Sequence, residues 1–271
     1  MCPLPVDLKL PMSMKVRIDK LLVERGMVQS RERAQAMILA GRVLVDGQKI
    51  NKAGAAVAPE AEIRLLGEDM KYVSRGGLKL EEALKHWNVD LAGRVCMDVG
   101  TSTGGFTDCM LQNGAVEVIS VDTGYGQIAN KLRSDSRVKL LERTNARYLT
   151  SEQVQQAGAG GAVTFIAVDV SFISVTLILP AVLAAVFAGE APRKRELVVL
   201  IKPQFEVGRE RVGKGGIVRD ESARQDAVKK VRGVVEELGG HDVEVIDSPI
   251  LGMEGNHEFL LYAQFLQGAG K

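Results

Sequence analysis

The sequence predicts an α/β fold, a seven-stranded and mostly parallel sheet, preceded by a small α+β domain. Three observations carry this expectation. From Arg94 onward, seven apolar runs alternate with helix-patterned segments, as strands joined by crossover helices do. The first run opens into a glycine-rich turn over residues 100–106, of the kind that leads a strand into a helix. Charge also divides along the chain. The 271 residues carry 35 Lys and Arg against 34 Asp and Glu, yet residues 1–66 hold 11 basic and 7 acidic side chains. A module of +4 thus precedes a remainder of −3, an asymmetry that suits an anionic partner for the first part. With 46% hydrophobic and 25% charged residues, the composition excludes a disordered chain.

Taken in order, residues 1–16 contain prolines at 3, 5 and 11 and lack the apolar core of a signal peptide, so they read as an unstructured lead. Residues 17–66 read as one small domain. Ile18, Leu21 and Leu22 fit a short amphipathic helix stopped at Gly26. Ser30 is an N-cap for a second helix that turns Ala34, Met37 and Ile38 inward and stops at Gly41. Val43, Val45, the Asp46–Gly47 turn and Ile50 fit a hairpin, and Ile63 and Leu65 another strand. Arg17, Lys20, Arg25, Arg31, Arg33 and Arg42 remain on the polar faces. They read either as a solvated surface or as phosphate contacts, each of which releases counterions from RNA.

Residues 67–73 are a polar linker, and residues 74–271 a second domain. Leu78, Leu80, Ala83 and Leu84 fit a helix that leaves Lys79 on another face. The seven strand runs are VCMDVG, VEVISVD, RVKLLER, VTFIAVDV, ELVVLIK, VEVIDS and EFLLYAQF. The last two are joined by a loop, which predicts a hairpin and one antiparallel strand. Residues 172–189 are 18 uncharged positions, the lower limit for a membrane span; Ser174, Thr176 and Pro180 favour a buried crossover helix instead. Cys2, Cys96 and Cys109 have neither pairing nor metal-ligand spacing, and His86, His241 and His257 are scattered. A reduced, cytoplasmic protein without a metal site is expected.

The glycine turn is not GxGxxG. Asp98 stands at its lip, where an acid repels a pyrophosphate but suits an amino group or a sulfonium. Asp122 ends the second strand, where an acid accepts hydrogen bonds from ribose hydroxyls. Two acids without a phosphate-binding cation fit S-adenosylmethionine better than NAD. A plain loop of glycines beside surface acids is the alternative. Asp169 closes the fourth strand, Lys202 the fifth, and Glu258 opens the last. If that strand is antiparallel, all three meet at the edge where open α/β sheets bind ligands, with Lys79 arriving from the preceding helix.

Residues 17–66 resemble the S4 RNA-binding domain, on Gly26, Ser30, Arg31, Ala40, Gly41, Val43 and the Val-Asp-Gly turn. Residues 17–265 resemble the TlyA family, also called haemolysin-A-like proteins, on SRGGLKL, DVGTSTGGFTD, VDTGYGQ, LERTNAR, DVSFIS, KPQFEVG and EGNHEF. The resemblance implies a Rossmann-like, FtsJ-type methyltransferase that uses S-adenosylmethionine to methylate ribose 2′-oxygens of ribosomal RNA. It implies a cytidine target in 16S and/or 23S RNA, within 30S and/or 50S subunits, and a monomer. The family tetrad falls on Lys79, Asp169, Lys202 and Glu258. Cofactor contacts fall on Asp98, Gly100, Ser102, Thr103, Gly104, Gly105, Phe106, Asp122, Asn145 and Asp169. In the mechanism expected here, Lys202 is the base or orienting cation with Lys79 as its electrostatic neighbour, since a nearby ammonium lowers a lysine pKa. Asp169 positions Lys202, and Glu258 holds Lys79 or the ribose. RNA contacts extend to Arg75 and to Arg209, Arg211 and Lys214, in a glycine-rich segment that reads as a mobile flap or as a solvated crossover loop. A pore-forming haemolysin and a non-catalytic ribosome assembly factor are the rival functions.

Overall fold

The computed structural model describes residues 15–28, 30–66, 71–158, 162–188, 194–252 and 255–266. Two compact units divide between residues 69 and 70.

In the first unit, β1 (Val16–Arg17) precedes α1 (Ile18–Glu24) and α2 (Arg31–Leu39). The Ser30 hydroxyl accepts from the Arg33 amide at 3.2 Å and caps α2 as expected. Ile18, Leu22, Ala34 and Ile38 are fully buried between the helices and the strands. β2 (Val43–Val45) and β3 (Gln48–Lys49) form the hairpin, with positive φ at both Asp46 (50°) and Gly47 (77°). That pair of left-handed residues matches the twist of the strands it joins. β4 (Ala56–Val57) pairs with β1, and β5 (Ile63–Leu65) with the free edge of β2. Val16 therefore belongs to a strand rather than to the lead; residues 1–14 lie outside the described residues, as do 67–70 of the expected linker.

The second unit begins with α3 (Gly76–His86), followed by β6 (Val95–Val99), α4 (Gly105–Gln112), β7 (Glu117–Val121), α5 (Asn130–Arg133) and β8 (Val138–Leu141). Then come α6 (Ser151–Ala157), β9 (Val163–Val168), α7 (Leu179–Phe187), β10 (Lys194–Ile201), α8 (Pro203–Glu206), α9 (Glu221–Glu237), β11 (His241–Asp247) and β12 (Phe259–Leu266). The strands lie in the order β11-β12-β10-β9-β6-β7-β8, with β12 antiparallel to both neighbours and the rest of the sheet parallel. All seven expected strands and the terminal hairpin are present. Both faces are covered, so alternate residues of a central strand serve two cores. On β10, Leu197, Val199 and Ile201 pack with Val182 of α7 and Val231 of α9, while Val198 and Leu200 pack with Leu80 of α3 and Met110 of α4.

The apolar stretch after β9 forms a short turn and then α7, whose Leu179, Val182, Leu183, Ala185 and Val186 are buried. It is the crossover helix expected between β9 and β10. No helix among the described residues is long and apolar enough to cross a membrane.

Candidate active site

Parallel strands bring their C-terminal ends to one edge, and the reversed β12 brings its beginning there too. Ile201 at the end of β10 faces Phe259 at the start of β12, so Lys202 and Glu258 neighbour one another across the ladder. A cavity of about 710 Å³ opens at this edge.

Its floor depends on backbone proximity. Gly100 has φ +91°, and a Cβ there would stand 2.2 Å from the Asp169 carbonyl oxygen. The Asp169 amide donates to the Val99 carbonyl at 2.8 Å. Only glycine lets the end of β6 lie this close to the end of β9, and this contact delivers Asp169 to the glycine loop.

Four ionisable side chains from separate elements meet at the cavity as two pairs. Lys79 of α3 donates to Glu258, and both are buried. Lys202 Nζ lies 2.6 Å from Asp169 Oδ1 and donates to the Ser171 hydroxyl at 2.9 Å. Each ammonium has its own carboxylate. Ion pairing is therefore part of the immediate environment of both cations.

The other expected cofactor contacts divide. Gly100, Ser102, Thr103, Gly105 and Phe106 line the cavity beside the four ionisable groups. Gly104 instead packs toward Leu132 and Ile128. Asp122 lines a smaller recess shared through Ser102, accepting from the amides of Ser102 (2.7 Å) and Gly124 (2.6 Å). Asn145 is exposed and caps a turn, accepting from the Arg147 amide at 3.0 Å; it lines neither space. Asp98 is not at the lip. It is fully buried under the start of α4, where Oδ2 accepts from the Thr107 amide (2.9 Å) and hydroxyl (2.6 Å), and Oδ1 has no partner among the described residues. Burial pushes its carboxyl up to about 7, against the pull of Thr107, and the Asp169 charge adds to the rise.

The expected RNA contacts divide as well. Arg17 and Arg31 both hold the buried Asp19, at 2.9 Å each, and Gln35 adds a third donor. The Arg17 guanidinium keeps that carboxyl well below the usual carboxylate range. Arg25 donates to the carbonyls of Ala61 (2.8 Å) and Pro59. These three arginines brace their own domain. Lys20 and Arg42 are exposed, and Arg33 is half-buried. Arg75 lines the cavity. Arg209 and Lys214 are exposed, whereas Arg211 bonds Asp226 (2.7 Å) and Asp220 (3.1 Å) at the start of α9.

Sequence reasoning missed two further features. Asn256 is buried, accepts from the Val218 amide at 3.0 Å and donates to the Gly216 carbonyl at 2.9 Å. With Arg211, it bonds the glycine-rich segment read as a mobile flap or a solvated crossover loop. Phe172 is 92% exposed, has φ +65° and lines the cavity, its ring centroid 5.3 Å from that of Phe205. A bulky residue in left-handed backbone is strained, and strain of this kind gathers at functional sites. Its only sequence signal is an aromatic three residues beyond Asp169.

Residues 72–265 match the FtsJ-like methyltransferase family, and residues 16–63 match the S4 domain. The Mycobacterium tuberculosis protein named 16S/23S rRNA (cytidine-2′-O)-methyltransferase TlyA is 43% identical over 252 residues, 93% of this chain and 90% of that one. Hemolysin A of Brachyspira hyodysenteriae is 37% identical over 247 residues, 91% of this chain and 99% of that one. A solved structure from Streptococcus thermophilus, described as a candidate hemolysin, superposes with a TM-score of 0.70 at 39% identity, covering 95% of this chain and 90% of that one.

Proposed function

Because this chain belongs to the FtsJ-like methyltransferase family, on the TlyA branch that carries an S4 domain, we propose that it methylates a ribose 2′-oxygen of ribosomal RNA. The target is a cytidine of 16S and/or 23S RNA within ribosomal subunits, consistent with a cytoplasmic protein. The observation that carries this reading is the meeting of Lys79–Glu258 and Lys202–Asp169 at one cavity.

S-adenosylmethionine supplies an electrophilic methyl on a sulfonium centre. The residues that suit it are the loop over 100–106, which carries no cation of its own, and the half-buried Asp122. Lys202, steadied as a cation by Asp169 and Ser171, orients the ribose hydroxyl and stabilises the negative charge that builds on its oxygen as the methyl arrives and the proton leaves to water. Lys79 and Glu258, more deeply buried, hold the wall against which the ribose rests. Holding donor and acceptor in line accounts for much of such a rate. The Phe172–Phe205 pair offers an aromatic face to a base drawn out of its stack.

Purified protein, ribosomal subunits and S-adenosylmethionine, followed by mapping of 2′-O-methyl groups, test the proposal. New methylation at discrete cytidines is expected, and none overturns it. Lys202→Ala should lower methylation by at least about 100-fold while cofactor affinity, measured by calorimetry, changes less than about threefold. A lytic role would need a membrane-entering element; within the apolar stretch over 172–188, Leu179, Val182, Leu183, Ala185 and Val186 of α7 pack into the sheet core.

A further inference from the structure

The KPQFEVG segment contains a buried carboxylate that the proposed chemistry does not use. Glu206, the last residue of α8, accepts from the Ser174 hydroxyl at Oε2 and from the Val175 amide at Oε1 (2.7 Å). Lys230 of α9 lies 3.4 Å from Oε2 and donates to the Glu206 carbonyl (2.9 Å) and to the Ser174 hydroxyl (3.3 Å).

Its position in the chain matters as much as its bonds. Glu206 stands one helical turn beyond Lys202, and the Phe205 amide donates to the Lys202 carbonyl at 2.9 Å. Ser174 and Val175 close the loop that carries Asp169, Ser171 and Phe172. One carboxylate therefore ties the turn bearing Lys202 and Phe205 to the loop bearing their partners. A buried carboxylate is a weak source of stability, because desolvation cancels much of what its hydrogen bonds contribute. It does, however, fix one arrangement of the groups that donate to it.

We propose that Glu206 is a positioning residue, which sets the register between the loop after β9 and the turn after β10 and thereby the geometry of Lys202 with Asp169. This inference rests on the methyltransfer reading above. The test uses the full chain with ribosomal subunits and compares Glu206→Ala, Glu206→Gln, Ser174→Ala and the double variant Glu206→Ala/Ser174→Ala.

Glu206→Ala is expected to lower kcat about 10- to 100-fold per folded molecule, the scale on which small misplacements of reacting groups act. Affinity for S-adenosylmethionine should stay within about twofold of wild type, since the glycine loop lies on a different strand. Glu206→Gln keeps an acceptor for the Val175 amide and should recover most of the missing rate. Ser174→Ala should fall less than Glu206→Ala, and the double variant no further than Glu206→Ala alone, because both remove one shared hydrogen bond.

An unchanged kcat per folded molecule in Glu206→Ala, or cofactor affinity falling in step with kcat, overturns the positioning role. If Glu206→Ala does not fold, wild-type kcat in Ser174→Ala overturns it instead. Lys202→Ala in the same assay separates the two ideas: full activity there overturns the catalytic assignment, whereas its loss beside an intact Glu206→Ala overturns only the positioning.

Discussion

Asp98 illustrates how a carboxylate beside a ligand site can face the fold instead. Its two bonds to Thr107 anchor the first turn of α4, and its buried environment favours the protonated form. Folded, it titrates at about 7; unfolded, near the ordinary carboxylate value of about 3.9. Between those values the folded chain holds a proton that the unfolded chain has released. Its contribution to stability is therefore complete below about pH 4 and is lost as pH rises through about 7, at a slope of about 1.4 kcal/mol per pH unit. Asp98→Asn should flatten thermal stability between about pH 5 and 8 and exceed the wild-type midpoint at the upper end of that range. A wild-type pH profile in that variant would show that the titrating group lies elsewhere. Side-chain direction was the illegible part: a strand-end acid beside a glycine turn reads the same whether it points to the ligand or beneath the loop. Phe172 and Asn256 were hidden for related reasons, one by a backbone angle and the other by a contact made across about 40 residues.

At the scale of elements, legibility followed periodicity. The seven strands of the sheet alternate or run apolar over four residues or more, and each lies where its pattern indicates. β1 and β4 have two residues each, too few to carry any period, so their pairing could not be foreseen. The α2 cap was foreseen because one side chain before a helical run suffices to specify it. Ser30→Ala should cost about 1 kcal/mol in unfolding free energy, read by denaturant titration of the first unit's signal, with the methyltransferase unit's transition unmoved.

The molecule as a whole divides its charge by task, and the first unit divides it again. Its arginines looked alike in the helical pattern, yet Arg17, Arg25 and Arg31 are committed to internal bonds, leaving Lys20 and Arg42 among the exposed cations. Alanine at both positions should weaken binding to ribosomal subunits and reduce the slope of log affinity against log salt by about two, one for each phosphate no longer neutralised. A slope equal to that of the wild type would remove these residues from the RNA-facing surface. The meeting of Asp169, Lys202 and Glu258 at one edge was legible at this scale because strand ends share an edge whatever the details of packing, whereas Lys79 reaches it from α3.

Lys79 and Glu258 stand 179 positions apart, and Glu258 stands at the start of β12, the last strand among the described residues. A nascent or truncated chain ending short of that strand would leave the Lys79 ammonium in an apolar wall without its counter-charge, an arrangement that costs several kcal/mol. The start of β12 therefore supplies the counter-charge that α3 lacks until the sheet is complete. Chains truncated before β12 should be both inactive in methyl transfer and prone to proteolysis.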